Sequence, residues 1–268
     1  MLNVYIKSIG ILAPGIKHWD DMLKALTIAG HYQAEPLAKK LDTLLPANER
    51  RRATRITQLA LYAAQQACIN LNPAQCLQVF SSSNGDLTTF HRISQALALP
   101  GRPVSPTLFH NSVHNAPAGY WSIATQSQTA STSITAYSDS FAAGLLEAAV
   151  QLNCSDNIYN RDCLLVCYDE IPPSPFQPQI AITEEFACAL VLSQKPENTL
   201  AQLTITIADG TQAATKLSLP ALEMLRMANP QANALPILEA LAQKNNTEII
   251  LPYFSQGLKI QLINLSHD

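Results

Sequence analysis

The sequence predicts a layered α/β fold in which a mixed sheet is covered by helices. Strand-like and helix-like segments alternate along most of the 268 residues, which is typical of a sheet with helices packed on its faces. Hydrophobic residues make up 47% of the chain and charged residues only 14%, so a sizeable core is expected. No internal repeat divides the sequence, and we expect a single domain over residues 1–268.

The first part of the chain predicts two strands and three helices. Residues 2–12 alternate apolar and polar side chains and are followed by Pro14-Gly15, which favours an opening strand. The helix near 53–71 has a stripe of mostly small apolar residues, which predicts close packing inside the domain. The elements expected here are strands at 2–12 and 77–82 and helices near 18–29, 53–71 and 86–98.

The second part predicts three further helices and six strands. We expect Ser138 to cap a helix of small residues at 138–150, with Asp139 adding a favourable negative charge. Four prolines between 172 and 178 indicate a stiff loop. The elements expected here are helices near 109–125, 138–150 and 235–243 and strands at 132–136, 163–168, 186–193, 201–209, 247–254 and 258–264.

Charge and hydropathy argue against two classes of partner. The net charge of −3 offers no broad positive surface for nucleic acid. The basic cluster of Arg50 to Arg52 with Arg55 is interpreted either as the solvated start of a helix or as a contact for an acidic carrier protein. No segment approaches the roughly 18 apolar residues of a spanning helix, and the opening residues lack a signal-peptide pattern. We therefore expect a cytoplasmic protein without a membrane span.

Six cysteines lie mostly in apolar segments, without the paired spacing of a zinc or redox motif. We expect all six to behave as small buried hydrophobic residues in a reducing compartment. Cys163 and Cys167 are expected to share one face of a strand.

Several polar residues could carry chemistry. His110 and His114 would share a face if both lay on one helix, and they could then hold a metal or act as acid and base. No nearby Asp, Glu or Cys completes a ligand set, which favours structural histidines and no metal site. Ser112 is a nominal nucleophile, but it does not lie in a GxSxG elbow. The segment SSSNG at 81–85 lacks the features of a phosphate-binding loop, and no cofactor is expected.

Three blocks of sequence together resemble the β-ketoacyl synthases of the thiolase superfamily. They are LLPANERRRATRITQLALYAAQQA at 44–67, VFSSSNGDL at 79–87, and the segment at 105–148 that opens with SPTLFHNSVHNAPAGYWSI and ends with SITAYSDSFAAGLLEA. The resemblance is strongest to short chain-length-factor-like members from bacterial aryl polyene and related polyketide clusters. It implies a thiolase-like fold, with the N-terminal half of a ketosynthase over residues 1–195 and a C-terminal extension over 196–268.

The resemblance also indicates that the nucleophile has been replaced. Thr135-Ala136-Tyr137 matches the family's threonine-alanine-cysteine, in which the cysteine is the nucleophile. A phenol is a poor nucleophile and acyl carrier at neutral pH, and it acts as a general acid only beside a suitable partner. Nothing after Glu185 matches the family's histidine-bearing HGTGT pattern, so no catalytic residue is expected. The helix before the elbow matches the family at Ser105-Pro106, Asn115 and Ala118-Gly119.

The family further implies a partner. Its subunits pair through the strand before the elbow, and a chain-length factor lines the acyl tunnel beside the active cysteine of its partner. The implied partners are a full-length β-ketoacyl synthase, in a heterodimer, and an acyl carrier protein that carries the growing chain. The strand positions are Ser133, Ile134, Thr135 and Ala136, and the tunnel positions are Asn84, Leu87, Thr88, His91, Leu108 and Phe109.

Two other functions remain open at this point. An acyltransferase or thioesterase on the same scaffold would use Ser112 with His110 or His114. A purely structural partner would stabilise a ketosynthase without influencing chain length.

Overall fold

The computed structural model describes residues 1–154 and 161–265. The elements up to residue 98 are β1 (Leu2–Leu12), α1 (Trp19–Thr27), α2 (Ala47–Arg52), α3 (Arg55–Ala67), β2 (Leu77–Ser81) and α4 (Leu87–Ala98). Those that follow are α5 (Pro106–Asn111), α6 (Ala116–Thr125), β3 (Ser131–Ile134), α7 (Ser140–Asn153), β4 (Cys163–Asp169), β5 (Phe186–Ser193), β6 (Ala201–Ile207), α8 (Pro220–Ala228), α9 (Leu235–Ala242), β7 (Thr247–Leu251) and β8 (Leu258–Asn264).

One predicted helix is divided in the structure, and two helices, α2 and α8, were not predicted. The segment near 53–71 is preceded by the separate short helix α2, because Ala53 and Thr54 are extended. The segment near 109–125 forms α5 and α6, with Pro117 in the first turn of α6, where its missing N–H leaves no bond unmade. Helix α8 begins at Pro220 and was not expected.

All eight predicted strands join one mixed sheet in the order β3-β2-β4-β5-β1-β6-β8-β7. Strand β2 runs parallel to β3 and β4, and the other neighbours are antiparallel. Strands β6, β8 and β7 come from the segment after residue 200. That segment therefore extends the sheet rather than standing apart from it.

Helices cover both faces of the sheet at close range. Helix α3 packs against β1 so tightly that a Cβ on Gly10 would lie 2.0 Å from the Ala63 carbonyl oxygen. Helix α7 covers β2 on the opposite face, where a Cβ on Gly144 would lie 2.9 Å from the Ser81 Cβ. The small-residue stripe of α3 is buried, as predicted. None of the described helices is long and apolar enough to cross a membrane.

Five of the six cysteines are buried, and the expectation is wrong for Cys154. Its thiol is exposed because α7 ends at Asn153 and the chain leaves the core there. Cys163 and Cys167 lie in the same core cluster, on one face of β4, as expected.

Candidate functional site

The elbow between β3 and α7 is a short 3-10 turn (Tyr137–Asp139). Tyr137 lies at its start with φ 52°, in the left-handed region that costs a residue with a Cβ about 1–2 kcal/mol. The buried Ser140 hydroxyl stabilises the turn by accepting a hydrogen bond from the Ala136 N–H at 2.9 Å and donating one to the Tyr137 carbonyl at 2.8 Å.

The prediction that Ser138 caps the following helix is wrong. Helix α7 begins at Ser140, with Asp139 at the N-cap position. The Ser138 hydroxyl is exposed and instead donates to the Asp139 carboxylate at 3.1 Å. The other Asp139 oxygen accepts the Phe254 N–H at 2.7 Å, which ties the loop after β7 to the elbow.

A cavity of about 290 Å³ opens beside Tyr137, whose side chain is 59% exposed. The end of β2 and the elbow form one wall, and the segment around residue 181, α8 and the turn after α8 form the other. The carboxyl ends of parallel strands are a common position for a binding site. The lining residues are Ser83, Asn84, Tyr137, Ser138, Asp139, Ile180, Ala181, Ile182, Arg226, Met227, Pro230, Asn233 and Pro252.

Arg226 is the only cation among the described lining residues, and its charge is compensated. Its guanidinium is 8% exposed and donates to both Glu223 oxygens, at 2.8 and 2.6 Å, and to Asn233 at 2.7 Å. The bonds from Arg226 hold the pKa of Glu223 below its ordinary value. The described lining has no cysteine, histidine or lysine, so it offers neither a thiolate nor an imidazole base.

The fully buried Asp169 carboxylate holds together the elements beside this cavity. Asp169, at the end of β4, accepts hydrogen bonds from the Ser82 hydroxyl at 2.7 Å, from the Ser83 N–H and hydroxyl at 2.9 and 2.6 Å, and from the Gln231 amide at 3.0 Å. Burial raises the pKa of Asp169, while these bonds oppose the shift. The network joins β2, β4 and the turn after α8.

The predicted tunnel residues lie around α4 and α5, with one exception. Leu87, Thr88 and His91 are on α4 and are half-buried, and Leu108 is half-buried on α5. Phe109 is 69% exposed. Asn84 precedes α4 instead of lying on it, and it lines the Tyr137 cavity.

The predicted pairing segment is only partly a strand. Ser133 and Ile134 belong to β3, which lies at an edge of the sheet. Thr135 and Ala136 lie beyond the strand, because the Thr135 hydroxyl donates to the Ser83 carbonyl and Ala136 already turns toward the elbow.

Ser112 and the two histidines do not form a catalytic set in the described part of the chain. The exposed Ser112 hydroxyl donates to the Phe109 carbonyl at 2.8 Å. His110 packs its ring edge-on against Tyr120, and His114 lies after α5 with Nε2 3.3 Å from the Ser82 carbonyl oxygen. The idea that both histidines share a helix face is therefore wrong, because the chain leaves the helix at residue 112. The described residues contain no cluster of three or more potential metal ligands.

Sequence reasoning missed the cavity wall formed by Arg226, Met227 and Asn233 because it missed α8. A proline at the first helical position, followed by apolar residues three apart at Leu222 and Leu225, could have indicated that helix.

Comparison with known proteins supplies the family. The chain matches the family model described as β-ketoacyl synthase, N-terminal domain, over residues 27–252. The match extends beyond residue 195, where the resemblance seen in the sequence ends. None of the curated protein sequences compared with the chain matches it.

Solved structures share the fold at low sequence identity. A chain from the ketosynthase ApeO in complex with its chain length factor ApeC, from Xenorhabdus doucetiae, aligns with a TM-score of 0.75 and 22% identity, covering 97% of this chain and 100% of that one. The ishigamide ketosynthase/chain length factor aligns with a TM-score of 0.72 and 12% identity, and the alignment covers 98% of this chain and 100% of that one. A β-ketoacyl synthase from Burkholderia phymatum aligns with a TM-score of 0.68 and 11% identity, and the alignment covers 99% of this chain and 100% of that one.

These alignments confirm the thiolase-like fold predicted from the sequence, since they cover nearly the whole chain and the mixed sheet with its helices. The family match spans well over half of the chain. The chain therefore belongs to the β-ketoacyl synthase N-terminal domain family and has the ketosynthase fold.

Proposed function

We propose that this chain is a non-catalytic chain-length-factor subunit that pairs with an active β-ketoacyl synthase in bacterial aryl polyene or related polyketide biosynthesis. The observation that carries the proposal is Tyr137 at the elbow, beside a cavity whose described lining offers no thiolate or imidazole. Acyl transfer by covalent catalysis needs an activated nucleophile, which a phenol without a base does not provide. Condensation is then the task of the partner.

The difference between the two edges of the sheet supports a partner that pairs with β3. At the other edge, β7 is covered, because the Thr215 hydroxyl accepts the Ile250 N–H and the Thr215 N–H donates to the Ile250 carbonyl, both at 2.9 Å. In β3, the Ile134 carbonyl accepts the Ser82 N–H, so Ile134 faces β2. Backbone groups alternate along a strand, so those of Ser133 face the open edge, where a strand of another chain can pair with them.

Large exposed hydrophobic side chains lie on the helices between β2 and β3 in the chain. Large hydrophobic side chains project from α4, from α5, from the link between α5 and α6, and from α6. Exposed apolar surface is typical of protein interaction sites. We name this surface the α4–α6 face, and its residues are Phe90, Leu97, Phe109, Val113 and Ile123.

The tunnel assignment follows from the same placement. Leu87, Thr88 and His91 lie on α4 and Leu108 and Phe109 on α5, where they would contribute to a tunnel shared with the partner, and Asn84 would contribute from the Tyr137 cavity. Overpacking a well-packed wall costs about 1–3 kcal/mol, so bulk at these positions would set where a growing chain stops. One structural neighbour is described as a type II polyketide synthase acyl carrier protein in complex with its ketosynthase bound to the hexaketide, which supports a carrier-bound substrate here. We place the complex in the cytoplasm.

Co-purification with a ketosynthase from the same gene cluster tests the pairing. We expect a stable heterodimer that elongates a carrier-bound chain, and we expect the Tyr137→Phe complex to elongate at the wild-type rate, because the hydroxyl has no chemical role. A chain that remains monomeric beside the ketosynthase would overturn the pairing. A near-complete loss of condensation in Tyr137→Phe would overturn the non-catalytic role.

Mass spectrometry of the isolated chain tests the acyltransferase or thioesterase alternative. After incubation with an acyl thioester, we expect no covalent adduct, since Ser112 is hydrogen-bonded to its own backbone segment. An acyl group on Ser112 that is lost in Ser112→Ala would favour the alternative.

Product analysis tests the tunnel. We expect Leu87→Phe or Leu108→Phe to shorten the product made by the heterodimer. Ile28→Phe is the control, because Ile28 is exposed at the end of α1, outside the α4–α6 face. Unchanged products in both tunnel variants, with an intact complex, would reduce the role to structural support of the partner.

A further inference from the structure

Two acidic residues that interact electrostatically, Asp86 and Glu170, each have a buried carboxyl oxygen without a partner among the described residues. Glu170 follows β4 and is 8% exposed, and its Oε1 has no hydrogen-bond partner among the described residues. Asp86 caps α4, with Oδ1 accepting the Thr89 N–H at 2.6 Å. The Asp86 Oδ2 is also buried without a described partner.

Among the described residues, no Lys or Arg forms an ion pair with Asp86 or Glu170, and the titratable His114 ring lies beside Gly85, next to Asp86. Before β5, Glu185 is engaged by Arg55 of α3, at 2.7 and 2.5 Å, so that cation is already used. At the end of β4, Asp169 is satisfied by neutral donors. Burial raises the pKa of Glu170 to about 7, and the Asp86 charge and, less strongly, Glu185 add to the shift, while contacts from the Thr88 hydroxyl and N–H oppose it.

The pair is coupled directly to the surface that meets the ketosynthase in the proposed function. Thr88, in the first turn of α4, contacts Glu170. Phe90, in the same turn, is 56% exposed and packs on one side against Phe176. A partner that covers the start of α4 would exclude water from the Asp86 and Glu170 carboxyl groups there. Removing water disfavours the charged form of a carboxyl group.

We propose that assembly with the ketosynthase is linked to protonation of Glu170, and that the chain with the neutral Glu170 carboxyl is the form that binds tightly. This inference rests on the proposed function, because the ketosynthase is the partner that covers α4. Binding then takes up a proton from solvent onto Glu170, and raising the pH weakens the complex. The neutral carboxyl removes the repulsion from Asp86 at the start of α4.

Titration calorimetry of the full chain with its ketosynthase tests the linkage, from about pH 6 to about pH 8.5. We expect the wild-type dissociation constant to rise about tenfold over this range, the change that a one-unit difference in pKa between the free and bound chains produces. Glu170→Gln keeps the shape without the charge, so its complex should stay tight across the range. Glu197→Gln, at an exposed loop position, should retain the wild-type dependence.

A second measurement uses only the wild type. Repeating the titration near pH 7.5 in buffers of different ionisation enthalpy reports the protons exchanged, and we expect net uptake. Uptake of no proton, binding that tightens as the pH rises, or an unchanged pH dependence in Glu170→Gln would overturn the linkage while leaving the pairing intact. The absence of binding by the wild type at every pH would overturn the pairing itself, and the linkage with it.

Discussion

At the scale of single residues, one buried hydroxyl determines the shape of the elbow. Ser140 bridges the Ala136 N–H and the Tyr137 carbonyl, so it spans the residue with the left-handed backbone. Strained backbone persists where the surrounding structure determines it. The elbow has this shape although its residue is a tyrosine and not a nucleophile. The shape therefore fits a structural role, in positioning β3 and α7, better than a catalytic one.

Ser140→Ala should therefore lower the free energy of unfolding by about 1–2 kcal/mol, because it removes two hydrogen bonds and leaves the Ala136 N–H without its partner. Ser138→Ala is the matched control two residues earlier. Its exposed hydroxyl makes only a local bond to Asp139, so we expect a change within about 0.5 kcal/mol. Urea denaturation of both variants measures the difference, and equal costs would contradict the assignment.

The sequence could predict that Tyr137 occupies the nucleophile position, because a motif match does not depend on geometry. It could not show that Ser140 rather than Ser138 stabilises the turn. A capping rule assumes that the helix starts directly after the strand, but the left-handed Tyr137 delays it to Ser140. The position of Arg226 in the cavity wall was not predictable either, since it depends on how α8 folds back over the elbow.

At the scale of elements, β3 carries the proposed pairing. Ser133→Pro removes a backbone donor that faces the open edge and leaves the bonds between β2 and β3 in place. We expect the variant to fold but to bind the ketosynthase at least tenfold more weakly. Ser133→Ala keeps the donor and should bind like the wild type. Pull-down and circular dichroism of both variants test this, and tight binding by a folded Ser133→Pro would contradict pairing through β3.

Close contact between β1 and α3 should make the sheet intolerant of a single methyl group. Gly10→Ala would place a Cβ 2.0 Å from the Ala63 carbonyl oxygen, so a main-chain shift is required. We expect a loss of about 3 kcal/mol or more in the free energy of unfolding. Gly119→Ala is the control, because nothing lies within 4 Å of its Cβ in α6 and alanine favours a helix. Melting temperatures that shift in the same direction for both variants would contradict close packing of α3 on β1 as the cause.

Periodicity located every strand, because alternation and short apolar runs are local properties of the chain. The boundaries of the helices were harder to predict from the sequence. The break before α6 follows from Pro117, which favours a helix start, but the apolar residues on both sides suggested a continuous helix. Sheet order was not predictable, because it depends on contacts between distant segments such as β1 with β5 and β6.

At the scale of the whole molecule, a single eight-stranded sheet joins the elbow to the segment after residue 200. Hydrogen bonds from Gln231 to Asp169 and from Phe254 to Asp139 fasten that segment to the carboxyl end of β4 and to the elbow. The stability of the molecule is thus shared between the elbow and its last strands. Buried carboxyl groups at this junction make the stability depend on pH.

The isolated chain should lose stability as the pH rises from about 4.5 to about 7, through Glu170. Its pKa is raised in the folded protein from 4.5 to about 7, mainly by burial. Below this window both the folded and unfolded chains carry the proton, and within it only the unfolded chain releases it, so the free energy of unfolding falls. Above it the loss is complete, at roughly 3 kcal/mol.

Glu170→Gln separates this contribution from those of other acids, such as Glu223, whose lowered pKa favours folding at higher pH. We expect the variant and the wild type to be equally stable near pH 4, and the variant to be more stable by roughly 3 kcal/mol near pH 8. Urea denaturation at several pH values measures both curves. Parallel curves would show that Glu170 ionises alike in the folded and unfolded chains, and the proton that the complex is expected to take up would then have to bind elsewhere.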